Sequence, residues 1–343
     1  MIRFLTLAMI VGSLCAPAFV SSQQLRSRPI TEVRSSAPAL RLVEVVRLGS
    51  LDGPHDAFGR VMDVALSGSG RILVADDQNV NVVVFDPNGR YVGTIGRKGQ
   101  GPGEFIMPWK VVADADDSVF VWDASLARIS VFGPDQRFKR SFAVPPQWLV
   151  NSMEFLQDGR LLVAAYGRKE PGSLHLLSRS GRVDRSFGPR FNSPDLSGFE
   201  KSLLGGSADV AGQTIVYSIK SPYEIWFLDL AGRAQTRCVG RMEWTTQPSQ
   251  VVQVSQNQAA LHWKQYIHSS AVLSLGQGLY LNQVLDPAGD RTRLDLLTAD
   301  CRLLRRTTFD SPLNVVDASG SKLAAVRNLE FPEVLVYDVR ITQ

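Results

Sequence analysis

Histidine and cysteine are scarce in this chain, with four and three among 343 residues. His55, His175, His262 and His268 include no pair at helical ligand spacing around a carboxylate, which argues against a helix-borne zinc centre. Three cysteines are too few for a disulfide-built scaffold or a four-thiolate metal site. No apolar run reaches the roughly 20 residues that a membrane-spanning helix needs. The formal charge is only +4 and no dense basic run occurs, so nucleic acid is not an expected partner. A Gly-x-Ser-x-Gly elbow and a phosphate-cradling Gly-Lys-Ser/Thr are both missing. Asp114, Asp116 and Asp117 form an acidic turn that reads as a solvated hairpin, and no carboxylate pair stands out for glycoside chemistry.

The chain is nonetheless 44% hydrophobic and 20% charged, which suits a folded globular protein with a sizeable core. Arg3 precedes an apolar run from Phe4 to Cys15, followed by small residues. Residues 1–22 read as a secretory signal peptide cleaved before Gln23, with an uncleaved anchor as the alternative. The expected location is therefore exported, either periplasmic or extracellular. Residues 23–40, with Pro29 and Pro38, read as a disordered lead-in, and regular structure is expected over 41–343. Cys15 leaves with the signal. Cys238 and Cys301 fall at different places in the repeat described next and are expected as free thiols, pairing being the alternative.

A motif recurs along the chain. Val84-Phe85 is followed by the turn Asp86-Pro87-Asn88-Gly89 and a new strand. Counterparts of this strand end are Val131-Phe132, Leu176-Leu177, Phe227-Leu228, Leu296-Leu297 and Val336-Tyr337. A period of about 40–50 residues with four short strands is that of propeller blades. The expected fold is all-β: a six-bladed β-propeller of four-stranded blades. Arg41 to Gly49 alternates like a strand and is expected to join the last blade and close the ring. Gln247 to Lys264 is expected to hold a short amphipathic helix after Pro248.

Leu73 to Phe105 resembles the NHL repeats of six-bladed propellers. The residues carrying this are Val74-Ala75-Asp76, Asn79, Val84-Phe85-Asp86, Gly89 and Gly96, then Gly99 to Phe105. Blade two keeps Val121, Asp123, Arg128 and Val131-Phe132, and later blades keep only the apolar and turn pattern. The resemblance implies the fold and a tendency to bind proteins, sugars or RNA, without one activity.

In such a ring, connections from second to third strand share a face with those leading to the next blade. The long loops fall there, and binding residues concentrate on loops of a rigid scaffold. The expected ligand contacts are Arg97, Lys98, Trp109, Asp123, Arg128, Tyr166, Arg168, Tyr223, Trp263 and Tyr266. Arginine and aromatic side chains supply planar hydrogen bonding and contact area. The packing alternative stays open for Trp109 and Trp263, and turn-capping is the alternative for Asp76 and Asp123. The expected role is a non-enzymatic, monomeric scaffold for a protein, peptide or glycan. A metal-dependent hydrolase or lyase at the channel mouth is the alternative. No cofactor is expected in the first case; in the second, calcium or zinc would fall to Asp76, Asp123 and Asn282.

Overall fold

The computed structural model describes residues 27–33, 38–166, 171–189, 205–219, 223–240, 251–255, 258–261, 271–285 and 291–342. The described residues begin with β1 (Ser27–Pro29), β2 (Thr31–Glu32) and β3 (Ala39–Leu48). Blade one is β4 (Val61–Leu66), β5 (Ile72–Asp76), β6 (Asn81–Phe85) and β7 (Tyr91–Ile95). Blade two is β8 (Pro108–Ala113), β9 (Val119–Asp123), β10 (Arg128–Phe132) and β11 (Phe138–Ala143). Blade three is β12 (Leu149–Phe155), β13 (Leu161–Tyr166), β14 (Leu174–Leu177) and β15 (Val183–Phe187). Blade four is β16 (Ser207–Ala211), β17 (Thr214–Ile219), β18 (Glu224–Asp229) and β19 (Ala234–Val239). A separate hairpin follows, β20 (Val251–Ser255) with β21 (Gln258–Leu261). Blade five is β22 (Ala271–Gly276), β23 (Leu279–Leu285), β24 (Thr292–Thr298) and β25 (Arg302–Phe309). Blade six is β26 (Asn314–Ser319), β27 (Lys322–Asn328), β28 (Pro332–Thr342) and, from the other end of the chain, β3.

The ring closes as expected. β3 pairs antiparallel with β28, Val46 lying opposite Val336. The first strands meet in cyclic order, β4 beside β8, β8 beside β12, and so on until β26 returns to β4. They surround the central channel.

The apolar second and third strands follow from burial on both sides. Along β5, Ile72 and Val74 pack toward blade six with Val334 and Val336. Leu73 and Ala75 point the other way, toward blade two with Val111 and Val121. Side chains alternate across a sheet, so a blade between two neighbours needs apolar residues at every position. Four further buried clusters repeat this arrangement, so each of the six junctions between blades has its own core.

Three expectations on organisation are corrected. First, residues 27–32 are not a disordered lead-in. β1 adds in parallel to β19 as a fifth strand of blade four, and β2 adds in parallel to β25 of blade five. Ile30 between them packs on the core beneath. The polar side chains face outward, so composition suggested disorder while the backbone found two free sheet edges. Second, the Gln247 to Lys264 segment forms the β20–β21 hairpin where it is described, not a helix. Its valines fit both periods, and β-branching favours strands. Third, Cys238 and Cys301 are joined in a disulfide.

The third correction has a geometric cause in the repeat. The turn between third and fourth strands of each blade leans on the fourth strand of the blade before. A side chain at Gly89 would meet Val46 and Leu48; one at Gly181 would meet Phe142; one at Gly232 would meet Phe187. Cys301 occupies the same turn position in blade five, with φ of +71°, and meets Cys238 on β19. Different places in the repeat are the places that abut between neighbours.

Candidate functional site

The expected loop-face residues were assigned by position, and their side chains tell a different story. Asp76 is fully buried and accepts from the backbone N–H groups of Gly59, Arg60, Gln78 and Asn79 at 2.7–3.1 Å. Asn79 Nδ2 adds a fifth bond at 2.8 Å. Asp123 repeats the device, accepting from the backbone of Ile106, Met107, Ser125 and Leu126. Each carboxylate ties its corner to the loop arriving from the previous blade. Asp123 is therefore withdrawn from ligand contact. Both carboxylates are turned to backbone donors rather than to a cation, so neither fits a metal.

Tyr223 is also corrected. It is 2% exposed, in the core between blades four and five, and its hydroxyl donates to Asp295 Oδ2 at 2.9 Å. Asn282 is buried and bonds the same tyrosine, in blade five, away from Asp76 and Asp123. The three metal candidates are thus not brought together. Among the described residues, no group of three or more His, Cys, Asp or Glu side chains is disposed to hold a metal.

Arg128 clamps the glycine loop, donating to the carbonyls of Gln100, Gly101 and Glu104 at 2.7–3.1 Å. Tyr166 is buried at the end of β13. Trp109 is half-buried against Trp122, their rings 6.3 Å apart. Arg97 and Lys98 are exposed, Arg97 pairing with Glu104 at 3.0 Å. Arg168, Trp263 and Tyr266 lie outside the described residues. The turn at Asp114 is less solvated than expected, since Asp114 is buried and pairs with Arg179 at 3.3 Å.

The concentrated chemistry lies in the channel. A cavity of about 460 Å³ is lined by the six first strands and by their hairpin turns. Its lining reaches Gly68, Gln157 and Ser319 in the turns that follow the first strands. Its walls carry Asp63, Lys110, Glu154, Asp209 and Asp317. Asp63 and Lys110 hold equivalent places in blades one and two, opposite Ala75 and Trp122, and bond at 3.1 Å. Glu154, Asp209 and Asp317 form a second level in blades three, four and six. Each lies across the second strand from the third-strand residue that precedes the blade's bulge: Leu176, Phe227 and Val336. Two residues of strand separate the levels, roughly 7 Å.

Several of these side chains are links between blades. The inner edge of each first strand has backbone N–H groups with no further strand to receive them. Asp63 Oδ2 accepts from Val111 N at 3.0 Å, joining blades one and two. Ser152 accepts from Ala208 N at 2.8 Å, and Ser207 from Val272 N at 3.1 Å. Asp209 Oδ2 accepts from Ser274 N at 2.5 Å. Gln283 accepts from Val315 N at 2.6 Å, and Asp317 Oδ2 from Leu66 N at 2.6 Å, which closes blade six onto blade one. Such bonds answer the demand that enclosed backbone groups be paired.

Glu154 differs from its neighbours. Its half-buried carboxylate accepts no hydrogen bond and joins no ion pair among the described residues. Burial, then the charges of Asp209, Asp317 and Asp63, push its pKa well above the carboxylate range, with Lys110 pulling the other way. Burial pushes Asp209 up to about 6 against the bonds from Ser274 and Val210. It pushes Asp317 up to about 7 against the bond from Leu66, with Asp209 adding to the rise. Asp63 is raised by burial and partly restored by Lys110. The channel thus offers three acids at one level, none of them in an ion pair among the described residues, an arrangement suited to receiving positive charge.

Sequence reasoning missed all four acids. The usable signal was a charge in an otherwise apolar first strand, as in Val61–Leu66 and Ser207–Ala211.

A family model described as a 6-bladed beta-propeller, DUF5128, matches residues 55–162, which run from blade one into blade three. No curated protein matches the chain in sequence. Among solved structures, the chain is similar to a Bacteroides fragilis NCTC 9343 protein named "Putative exported protein (BF0058)". The TM-score is 0.62 at 15% identity, over 91% of this chain and 99% of that one. A member of the DUF4221 family from Bacteroides vulgatus ATCC 8482 gives 0.58 at 11%, over 89% and 99%. The PQQ-bound aldose sugar dehydrogenase of Streptomyces coelicolor gives 0.52 at 13%, over 89% and 100%. At these identities the likeness is one of fold. Six four-stranded blades closed by an N-terminal strand, with a matching propeller family model over blades one and two, make this chain a six-bladed β-propeller.

Proposed function

We propose that this propeller is an exported, monomeric, non-enzymatic binding protein whose site is the acidic channel. The ligand is a peptide or protein partner that presents a slender basic group, such as a lysine side chain. The observation that carries this is Glu154, a carboxylate on the channel wall that accepts no hydrogen bond and joins no ion pair among the described residues, beside Asp209 and Asp317. A bound ammonium would supply charge-assisted hydrogen bonds to groups that otherwise face one another at like charge. A glycan without positive charge lacks that gain. The apolar leader and the Cys238–Cys301 disulfide support an oxidising compartment outside the cytoplasm. The NHL-like repeat of blade one is consistent with binding, and fold alone assigns no activity.

Thermal unfolding in the presence of trilysine, triglutamate or a neutral oligosaccharide tests the reading. Trilysine alone should raise the melting temperature, as a ligand of the native state does. A rise with triglutamate or the oligosaccharide, and none with trilysine, would overturn it.

A hydrolase or lyase at the channel remains a second reading, because carboxylates of unlike acidity can divide the roles of acid and base. Turnover of a peptide probe, lost in Glu154→Gln, would put that reading first.

A further inference from the structure

The channel acids set a problem of charge that the ring must solve when no ligand is present. Glu154, Asp209 and Asp317 come from three blades to one level. Asp209 bridges blades four and five through Ser274 N, and Asp317 bridges blades six and one through Leu66 N. Their own strands supply a second bond each, from Val210 N and Ala318 N.

The neighbours offer little compensation. Asp63 on β4 adds negative charge to Glu154 and Asp317. Lys110 on β8, the cation that acts on Glu154, is already engaged by Asp63 at 3.1 Å. β22 contributes the Ser274 N–H, and Tyr280 on β23 feels the Asp209 charge. At the mouth, Asp114 and Arg179 pair with each other at 3.3 Å.

We propose that the channel is a proton-loaded latch: Glu154, Asp209 and Asp317 hold protons between them near neutral pH, and their ionisation strains the ring by setting enclosed like charges against one another. A cation entering the channel would exchange for those protons, so mild acid would empty the site. What the latch regulates rests on the channel being the ligand site. The proton loading is a property of the ring alone.

The sign follows from linkage. The raised pKa values mean that the folded chain binds more protons than the unfolded chain, whose carboxyls titrate near 4. Stability is therefore fullest at the acidic end of the window and is lost as pH rises through about 6 for Asp209 and about 7 for Asp317. Glu104, lowered first by its bond from Gly101 N, acts in the opposite sense, and only in stronger acid.

The test uses the ligand-free full chain. Its melting temperature should fall by about 5 °C between about pH 5 and about pH 8, and Glu154→Gln should flatten that slope. Infrared spectra of the wild type at neutral pH should show a protonated carboxyl C=O band that vanishes on raising the pH and weakens in Glu154→Gln. The wild-type spectrum keeps the test decisive where the variant does not fold. A melting temperature flat or rising across the window, or no protonated carboxyl band at neutral pH, would overturn the proposal. Neither readout involves a basic probe, so a probe that fails to bind would count against the functional reading and not against the latch.

Discussion

At the scale of the residue, a side chain's role here is decided by direction rather than by loop position. Asp76 and Asp123 lie at loop corners, yet each turns inward to collect backbone N–H groups from two segments. Replacing Asp123 with alanine should leave four such donors without their acceptor. A loss of about 3 kcal/mol in urea unfolding is expected, since each unsatisfied enclosed group costs about 1–3 kcal/mol and some recover water. An unchanged midpoint would refute the clamp. Tyr223→Phe removes one hydroxyl from Asp295, which keeps its bonds to Arg306, so a smaller loss of about 1 kcal/mol is expected. The repeated Asp pattern was visible in the sequence because both copies sit at the end of a second strand. Their inward orientation was not, because a turn-capping and a ligand-binding aspartate have the same spelling.

At the scale of the element, strands and turns were legible, and the way elements lean on neighbouring blades was not. Gly89, Gly181 and Gly232 mark one turn position, and Cys301 stands in the same place in blade five. Only the ring geometry brings that turn against β19. The disulfide spans 63 residues, a loop whose closure is worth about 4 kcal/mol in the chain-entropy account. Paired Cys238→Ser and Cys301→Ser substitutions should therefore lower the denaturation midpoint substantially, and reductant should lower that of the wild type to match. Equal midpoints with and without reductant would remove the disulfide as a source of stability. β1 and β2 cross the same two blades from outside, so strap and disulfide secure one junction by different means. That strap escaped the sequence reading because its side chains are exposed and its bonds are made by backbone.

At the scale of the whole molecule, the repeat disclosed the fold because every blade restates it. The channel was hidden for the complementary reason. Asp63, Glu154, Asp209 and Asp317 come from four different blades, so no local spacing announces them. Convergence at the axis is a property of the closed ring. The same closure explains why ionisation of a few acids should be felt by the fold, since Asp317 bonds blade six to blade one. Binding of a basic probe should accordingly weaken as pH falls from about 8 toward about 5, as protons and probe compete for the same carboxylates. Equal affinity across that range would break the connection between the two.

The most direct measurement is a calorimetric titration of trilysine, at low salt, into three proteins: wild type, Glu154→Gln, and the loop-face double variant Arg97→Ala with Lys98→Ala. Saturable binding to the wild type is expected, with a loss of about tenfold or more in Glu154→Gln, the worth of one charge-assisted hydrogen bond. The loop-face variant should bind as the wild type does. Undiminished binding by Glu154→Gln, with loss in the loop-face variant, would place the site on the long loops and contradict the account.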